Sequence, residues 1–128
     1  MFRDSRAFSS FSVEDLASAR RFYGETLGLS VSEDEMGFLE LHLGGAGGRV
    51  LVYGKTDHQP ATFTVLNFAV PDIERAVDGL VAAGVTMERY DVPEMAADAK
   101  GIVRGEYGPP IAWFTDPARN VIAVMEAG

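Results

Sequence analysis

An internal repeat constrains the fold of this chain more than any other feature of its sequence. The stretch at residues 8–19 recurs at residues 65–76, and matched residues lie 57 positions apart throughout. The matched pairs are Phe11 with Phe68, Val13 with Val70, Asp15 with Asp72, Leu16 with Ile73, and Ala19 with Ala76. Such a repeat indicates two copies of one supersecondary unit, each too small to bury its apolar face alone. We therefore expect one domain over residues 1–128, built from modules at about 7–55 and 62–126 that share a core.

Both copies of the repeat change their hydrophobic period at the same place. Alternating apolar and polar residues predict a strand, and the helical spacing that follows predicts a helix. Three strand-like runs come after each helix. They cover residues 29–32, 37–43 and 49–53 in the first module and residues 86–91, 110–115 and 121–125 in the second. The pattern predicts an α+β fold of two βαβββ modules, with helices on one face of curved sheets and a concavity on the other.

Chemical signals mark the ends of the two predicted helices. Ser12, with Asp15 three residues later, resembles a capping box at the start of the first helix. Pro71 suits the first turn of the second helix, where its missing N–H costs no hydrogen bond. Gly28 and Gly84 stand where left-handed C-terminal caps are expected.

The small number of cysteine and histidine residues limits which catalytic and metal sites the chain can form. The chain has no cysteine and two histidines, His42 and His58. A disulfide framework, a thiolate zinc site and a thiol nucleophile are therefore excluded. A catalytic metal would need mostly carboxylate or solvent ligands.

Charge and hydropathy limit the partners. The net charge of −8 argues against nucleic acid, because phosphate contacts need clustered Lys and Arg, whereas it suits a cationic ligand. Residues 1–8 show no apolar segment of a signal peptide. No apolar run approaches the ~18 residues of a membrane helix. We expect a cytoplasmic protein that binds neither nucleic acid nor membrane.

Five short motifs lie at the ends of the predicted helices and strands. They read VEDL at 13–16, RFY at 21–23, TLGL at 26–29, VPDI at 70–73 and WFTDPARN at 113–120. With the repeat, they resemble the vicinal oxygen chelate superfamily, which includes glyoxalase I, extradiol dioxygenases, fosfomycin-resistance enzymes and bleomycin-resistance proteins. The resemblance spans about residues 7–126. It implies paired, partly open barrels around a pocket, in a protein that is often a homodimer.

The resemblance also implies where a metal would be held, on the first and last strands of each module. The corresponding residues here are Phe8, Val65, Ala123 and either Val50 or Val52. All are apolar, and a hard divalent cation needs oxygen or nitrogen donors. We therefore expect neither the usual metal site nor another cofactor. Arg119 stands where the superfamily commonly has glycine, and a positive φ there would cost about 1 kcal/mol.

Strand parity selects the residues that would face the pocket. The expected ligand contacts are Phe8, Ser10, Glu40, His42, Asn67 and Trp113. Asn67 interrupts an apolar strand, so its amide either binds a ligand or pins a neighbouring strand. Trp113 either stacks on a flat ligand or packs in the core. His58 lies between the modules, where a structural or exposed role is expected.

Glu40 and His42 form the most polar pair on the pocket side. Two residues apart on a strand, they share a face at a spacing of about 7 Å. They are the candidate catalytic residues, as acid and base or as two ligands of an unorthodox metal site. The alternative is a solvated rim bonded to neighbouring polar groups.

The longest irregular segment, residues 92–110, is a candidate lid. Loops of this length often close over binding sites. Lys100 or Arg104 would then meet a ligand carboxylate, with Glu106 and Tyr107 in the same loop. The alternative is a solvated loop.

These features favour a metal-independent protein that binds and sequesters a small organic ligand, similar to the bleomycin-resistance branch. One alternative is a lyase, isomerase or dioxygenase with relocated metal ligands, or a metal-free acid/base enzyme, at Glu40 and His42. A second is a regulatory or interaction module whose cavity is filled by its own side chains, including Phe8 and Trp113.

Overall fold

The computed structural model describes residues 1–45, 48–90, 92–105 and 108–127. The chain forms two compact units, Met1–Gln59 and Pro60–Gly128. Each unit contains one four-stranded sheet and one α-helix, so the predicted α+β class and its two repeated modules are confirmed. Within the described ranges each sheet stays open and does not close into a barrel.

In the first unit a short helical segment packs against one face of the sheet. Its elements are β1 (Ser9–Val13), α1 (Leu16–Arg21), a π-helical turn (Phe22–Thr26), β2 (Ser30–Glu33), β3 (Leu39–His42) and β4 (Arg49–Gly54). The strand order is β1-β4-β3-β2, and only the β1–β4 pair is parallel. Tyr23 is fully buried and contacts Phe11 at a ring separation of 5.9 Å. The helical segment therefore packs on the face of the sheet that carries Phe11.

The second unit repeats this order with a longer helix. Its elements are β5 (Thr64–Val70), α2 (Ile73–Ala82), β6 (Met87–Glu88), a 3-10 turn (Pro93–Met95), β7 (Ile111–Thr115) and β8 (Val121–Glu126). The strand order β5-β8-β7-β6 matches that of the first sheet. The core cluster consists of Ile73, Val77, Ile102, Ala112 and Val124. No helix in the described residues is long and apolar enough to cross a membrane.

The aspartates of the repeat cap both α-helices. The Asp15 carboxylate accepts hydrogen bonds from the backbone N–H groups of Ala17 and Ser18, at 3.0 and 3.2 Å. Asp72 accepts one from the N–H of Arg75 at 3.1 Å. Each aspartate thus satisfies donors that the first helical turn leaves without an intrahelical partner.

Two predicted details of the helix starts are wrong. Ser12 does not cap α1, because it lies within β1. Pro71 does not occupy the first turn of α2, because it precedes the cap Asp72. The predicted left-handed glycines are confirmed, with φ of 76° at Gly28 and 94° at Gly84.

Arg119 is the only non-glycine residue with positive φ among the described residues, at 70°. An L side chain is strained there, so Arg119→Gly is expected to raise the free energy of unfolding by up to about 1 kcal/mol. Urea unfolding measures this gain. Arg119→Ala keeps the Cβ atom and should bring no such gain. An equal gain in both variants would contradict strain as the cause.

Candidate functional site

The side chains of the first sheet alternate between a buried face and a face that is at least partly accessible. Leu39 and Leu41 on β3 lie on the buried face, whereas Glu40 and His42 lie on the other. We call this second face the open face. It carries Ser10, Ser12, Ser30, Ser32, Phe38, Glu40, His42, Arg49, Leu51 and Tyr53.

Strand register places the candidate residues in rows across the open face. Ser10 lies opposite Leu51, Leu51 opposite Glu40, and Glu40 opposite Ser32. His42 lies in the neighbouring row, opposite Arg49 on β4. The sheet thus brings together residues that are up to about forty positions apart in the chain.

A pocket of about 200 Å³ opens on this face. Its lining consists of Phe8, Asp34, Glu40, Arg49 and Leu51. Phe8 is 69% exposed and does not fill the cavity with its ring. Phe8 and Glu40 are predicted contacts, whereas sequence reasoning missed the other three. Alternation along β4 is the signal by which Arg49 and Leu51 could have been found.

An ion pair dominates the electrostatics of the pocket. The guanidinium of Arg49 donates to the Glu40 carboxylate at 2.8 Å, and the Glu40 side chain is 23% exposed. The Asp34 carboxylate accepts hydrogen bonds from the N–H groups of Met36 and Phe38, both at 2.9 Å. Two carboxylates and one cation leave the lining with a net negative charge.

Each histidine of the chain contacts a serine. Nε2 of His42 lies 2.7 Å from the hydroxyl of Ser32, on the open face. Nδ1 of His58 lies 2.7 Å from the hydroxyl of Ser12, which ties the segment after β4 to β1. Both bonds were missed by sequence reasoning, because they join different strands or a strand and a loop.

The structure corrects the expected metal position on β4. Val50 and Val52 are 5% and 0% exposed, so they lie on the buried face. Leu51 lies between them on the open face, in the register that Ala123 holds on β8 of the second sheet. Leu51 is therefore the residue on β4 at the position where the resemblance implies a metal ligand.

The residues at these positions do not fit a metal ion. They are Phe8, Leu51, Val65 and Ala123. None has a side-chain oxygen or nitrogen that could coordinate a hard cation. The part of the chain that the structure describes also contains no group of three His, Cys, Asp or Glu placed to hold one.

The corresponding face of the second sheet is covered by Trp113. Its indole N–H donates to the hydroxyl of Thr64 on β5 at 3.2 Å. Because β8 lies between β7 and β5, the indole crosses above β8, where Ala123 is fully buried. Tyr90 packs edge-on against the indole at 5.4 Å. Burial, and then the charge of Glu88, raises the pKa of the Tyr90 phenol.

Asn67 lies on the same face, opposite Ala123 on β8. Its side chain is exposed rather than buried. Because water can satisfy the exposed amide, it does not need a hydrogen bond to a neighbouring strand.

The segment after β6 packs on the helix side of the second unit. Ile102 is 1% exposed and belongs to the core cluster. Lys100 bonds Asp78 at 3.1 Å, and Arg104 bonds Glu74 at 3.3 Å, both on α2. Carboxylates of α2 thus bind both side chains, and contact of Lys100 or Arg104 with a ligand carboxylate stays a prediction. Glu106 and Tyr107 of the predicted lid lie outside the described residues.

Asp98 organises this segment. Its carboxylate accepts hydrogen bonds from the backbone N–H groups of Ile102, at 3.0 Å, and Lys100, at 2.8 Å. The bond from Ile102 contributes most to holding the pKa of Asp98 below its ordinary value. A turn closed by a carboxylate thus positions Ile102 for burial.

Comparison with protein families identifies this architecture. The model of the Glyoxalase/Bleomycin resistance protein/Dioxygenase superfamily matches residues 8–124. The chain belongs to this superfamily. The resemblance inferred from the motifs is thus confirmed, and among curated proteins no significant match is found.

Solved structures of the glyoxalase superfamily share the fold over nearly the whole chain. A member from Sphaerobacter thermophilus is 22% identical, with a TM-score of 0.76, and covers 99% of this chain and 100% of its own. TnmS3, an antibiotic binding protein from Streptomyces sp., is 22% identical, with a TM-score of 0.71 and coverage of 100% and 99%. A lactoylglutathione lyase from Agrobacterium tumefaciens is 17% identical, with a TM-score of 0.68 and coverage of 97% and 94%. At these identities the similarity shows the fold alone.

Proposed function

We propose that this glyoxalase-superfamily protein binds a small organic cation in the pocket of the first sheet and holds it chemically unchanged, without a metal. The observation that carries the proposal is the lining itself. An apolar side chain, Leu51, lies beside the Glu40 carboxylate, and the exposed ring of Phe8 borders the same cavity. Binding sites for small molecules commonly combine apolar walls with a few placed polar groups.

The charge of the ligand follows from the charged groups around it. Asp34 and Glu40 outnumber Arg49 in the lining, and the whole chain carries −8. The open aromatic ring of Phe8 adds a surface that attracts a quaternary ammonium group. An aromatic cation would therefore use the apolar wall, the aromatic ring and the excess carboxylate together.

One of the similar structures provides a precedent for binding without chemistry. TnmS3 is described as an antibiotic binding protein, and its fold matches over the whole chain. The superfamily also includes bleomycin-resistance proteins. On the resemblance alone we further expect a homodimer, and the absence of cysteine and of a signal peptide pattern favours a cytoplasmic location.

Phenyltrimethylammonium and the uncharged, similarly shaped tert-butylbenzene test this proposal. The cation should raise the free energy of unfolding by about 2.7 kcal/mol at a hundredfold excess over Kd, and with it the melting temperature. It should be recovered unaltered. The neutral analogue should bind more weakly. Calorimetry and mass spectrometry of the recovered ligand check both points.

Glu40→Gln should weaken binding of the cation by about fivefold, because a partly exposed charge pair is worth up to about 1 kcal/mol. The matched control is Glu33→Gln. Glu33 lies on β2 of the same sheet but pairs with Arg20 on the helix side, so this variant should bind normally. Equal binding of both ligands, or equal loss in both variants, would contradict the proposal.

A metal-free acid/base enzyme is the second candidate. Glu40 and His42 share the open face, and each is bonded to a polar neighbour, Arg49 and Ser32. Such bonds orient a proton-transferring group. Chemical change of the bound ligand, lost in His42→Gln, would favour this candidate over sequestration.

A further inference from the structure

We propose that Ser32 is a nucleophile that accepts an acyl group from activated esters, with His42 as its general base. This activity goes beyond ligand binding in the pocket and does not depend on it.

The geometry of the two side chains carries the inference. The Ser32 hydroxyl lies 2.7 Å from Nε2 of His42 and both residues are partly buried on the open face. A serine hydroxyl is a weak nucleophile until a base within hydrogen-bond reach takes its proton. The tautomer with its proton on Nδ1 leaves Nε2 free to accept that proton. The pair is therefore both accessible to an ester and arranged for proton transfer.

The charged side chains closest to Ser32 by register form an ion pair. Ser32 lies directly opposite Glu40, and the Glu40 carboxylate holds the Arg49 guanidinium at 2.8 Å. The two other open-face residues that lie around His42 by register are Ser30 and Arg49, both directly opposite it.

The acylation step is balanced within the protein and the ester. A bond forms between the Ser32 oxygen and the carbonyl carbon as the hydroxyl proton moves to Nε2 of His42. The bond from that carbon to the leaving oxygen then breaks, and the leaving group departs as a phenolate or takes the proton back from His42. The product is an ester of Ser32, and no oxidation or reduction occurs.

p-Nitrophenyl acetate is the probe for this reaction. We expect acetylation of Ser32, seen as release of p-nitrophenolate and located by fragmentation of the peptide that contains it. Hydroxylamine should remove this acetyl group, because it cleaves an ester but not an amide on Lys55, Lys100 or the N-terminal amine. An unlabelled Ser32 in the unaltered protein would overturn the proposal, whatever the variants do.

Two matched pairs of variants separate the role of His42 from general reactivity. His42→Gln should slow labelling of Ser32 by at least about a hundredfold, the usual range of a general base, whereas His58→Gln should not. Ser32→Ala should abolish the hydroxylamine-sensitive label, whereas Ser30→Ala, an exposed serine on the same strand and face, should keep it. Equal labelling of Ser32 in the two histidine variants would refute general-base assistance.

The ligand-binding proposal and the nucleophile proposal can be tested independently with one variant. Ser32→Ala lacks the nucleophile but keeps the Glu40 carboxylate, so it should still bind phenyltrimethylammonium if the pocket proposal is right. Loss of labelling with normal binding therefore concerns the nucleophile alone.

Discussion

Replacement of Ile102 with alanine is expected to lower the free energy of unfolding by roughly 2–5 kcal/mol. Ile102 is 1% exposed and packs with Ile73 and Val77 of α2. Truncation removes buried apolar atoms and leaves a cavity that the surrounding core fills only in part. Urea unfolding, monitored by circular dichroism, measures the loss.

Val92→Ala is the matched control in the same segment. Val92 is 41% exposed, so its truncation should change the free energy of unfolding by less than about 0.5 kcal/mol. Similar losses in the two variants would mean that Ile102 is not part of the core. A large loss for Ile102→Ala would also show that the core anchors the segment at residues 92–110. A freely opening lid is then excluded, because opening would expose Ile102 to water.

Asp116→Ala is expected to lower the free energy of unfolding by about 3 kcal/mol, because it leaves buried hydrogen-bond donors without an acceptor. Asp116 is 4% exposed, and its carboxylate accepts hydrogen bonds from Asn120, at 2.8 Å from the backbone N–H and 3.0 Å from the side-chain amide. Without the carboxylate, both donors of Asn120 lose this partner in a buried turn. The same denaturation measurement applies.

Asp98→Ala tests whether burial is the reason. The Asp98 carboxylate also accepts two hydrogen bonds within a turn, but its side chain is exposed, so water can replace it. We expect a loss of about 1 kcal/mol, as for a typical solvated hydrogen bond. A larger loss for Asp98 than for Asp116 would contradict the argument.

Local patterns predicted the parts of the fold that depend on nearest neighbours along the chain. The alternation of Leu39, Glu40, Leu41 and His42 predicts which side of β3 is buried, because successive side chains on a strand point to opposite faces. On β4 the resemblance, and not this rule, led to Val50 or Val52, whereas Leu51 is the residue on the open face. The glycines after 44 left the alignment of that strand ambiguous, and pairing with β1 resolved it.

The site depends on register, which sequence reasoning did not provide. Glu40 bonds Arg49 and His42 bonds Ser32, and each bond joins two different strands. Shifting the register of a strand by one residue would turn its polar residues to the other face. The bonding partners of Glu40 and His42 were therefore undetermined. Phe8 and Glu40 line one pocket, and their contact with a ligand stays a prediction.

The sequence by itself determined the repeated βαβββ module and the scarcity of metal-binding side chains, since it contains no cysteine and two histidines. Both follow from residue type and spacing along the chain. Only the tertiary structure decided that Lys100 and Arg104 pair with α2, that Trp113 lies over Ala123, and that Ser32 meets His42. These contacts join residues distant in sequence. Their geometry is fixed by strand pairing and core packing, which local periodicity does not specify.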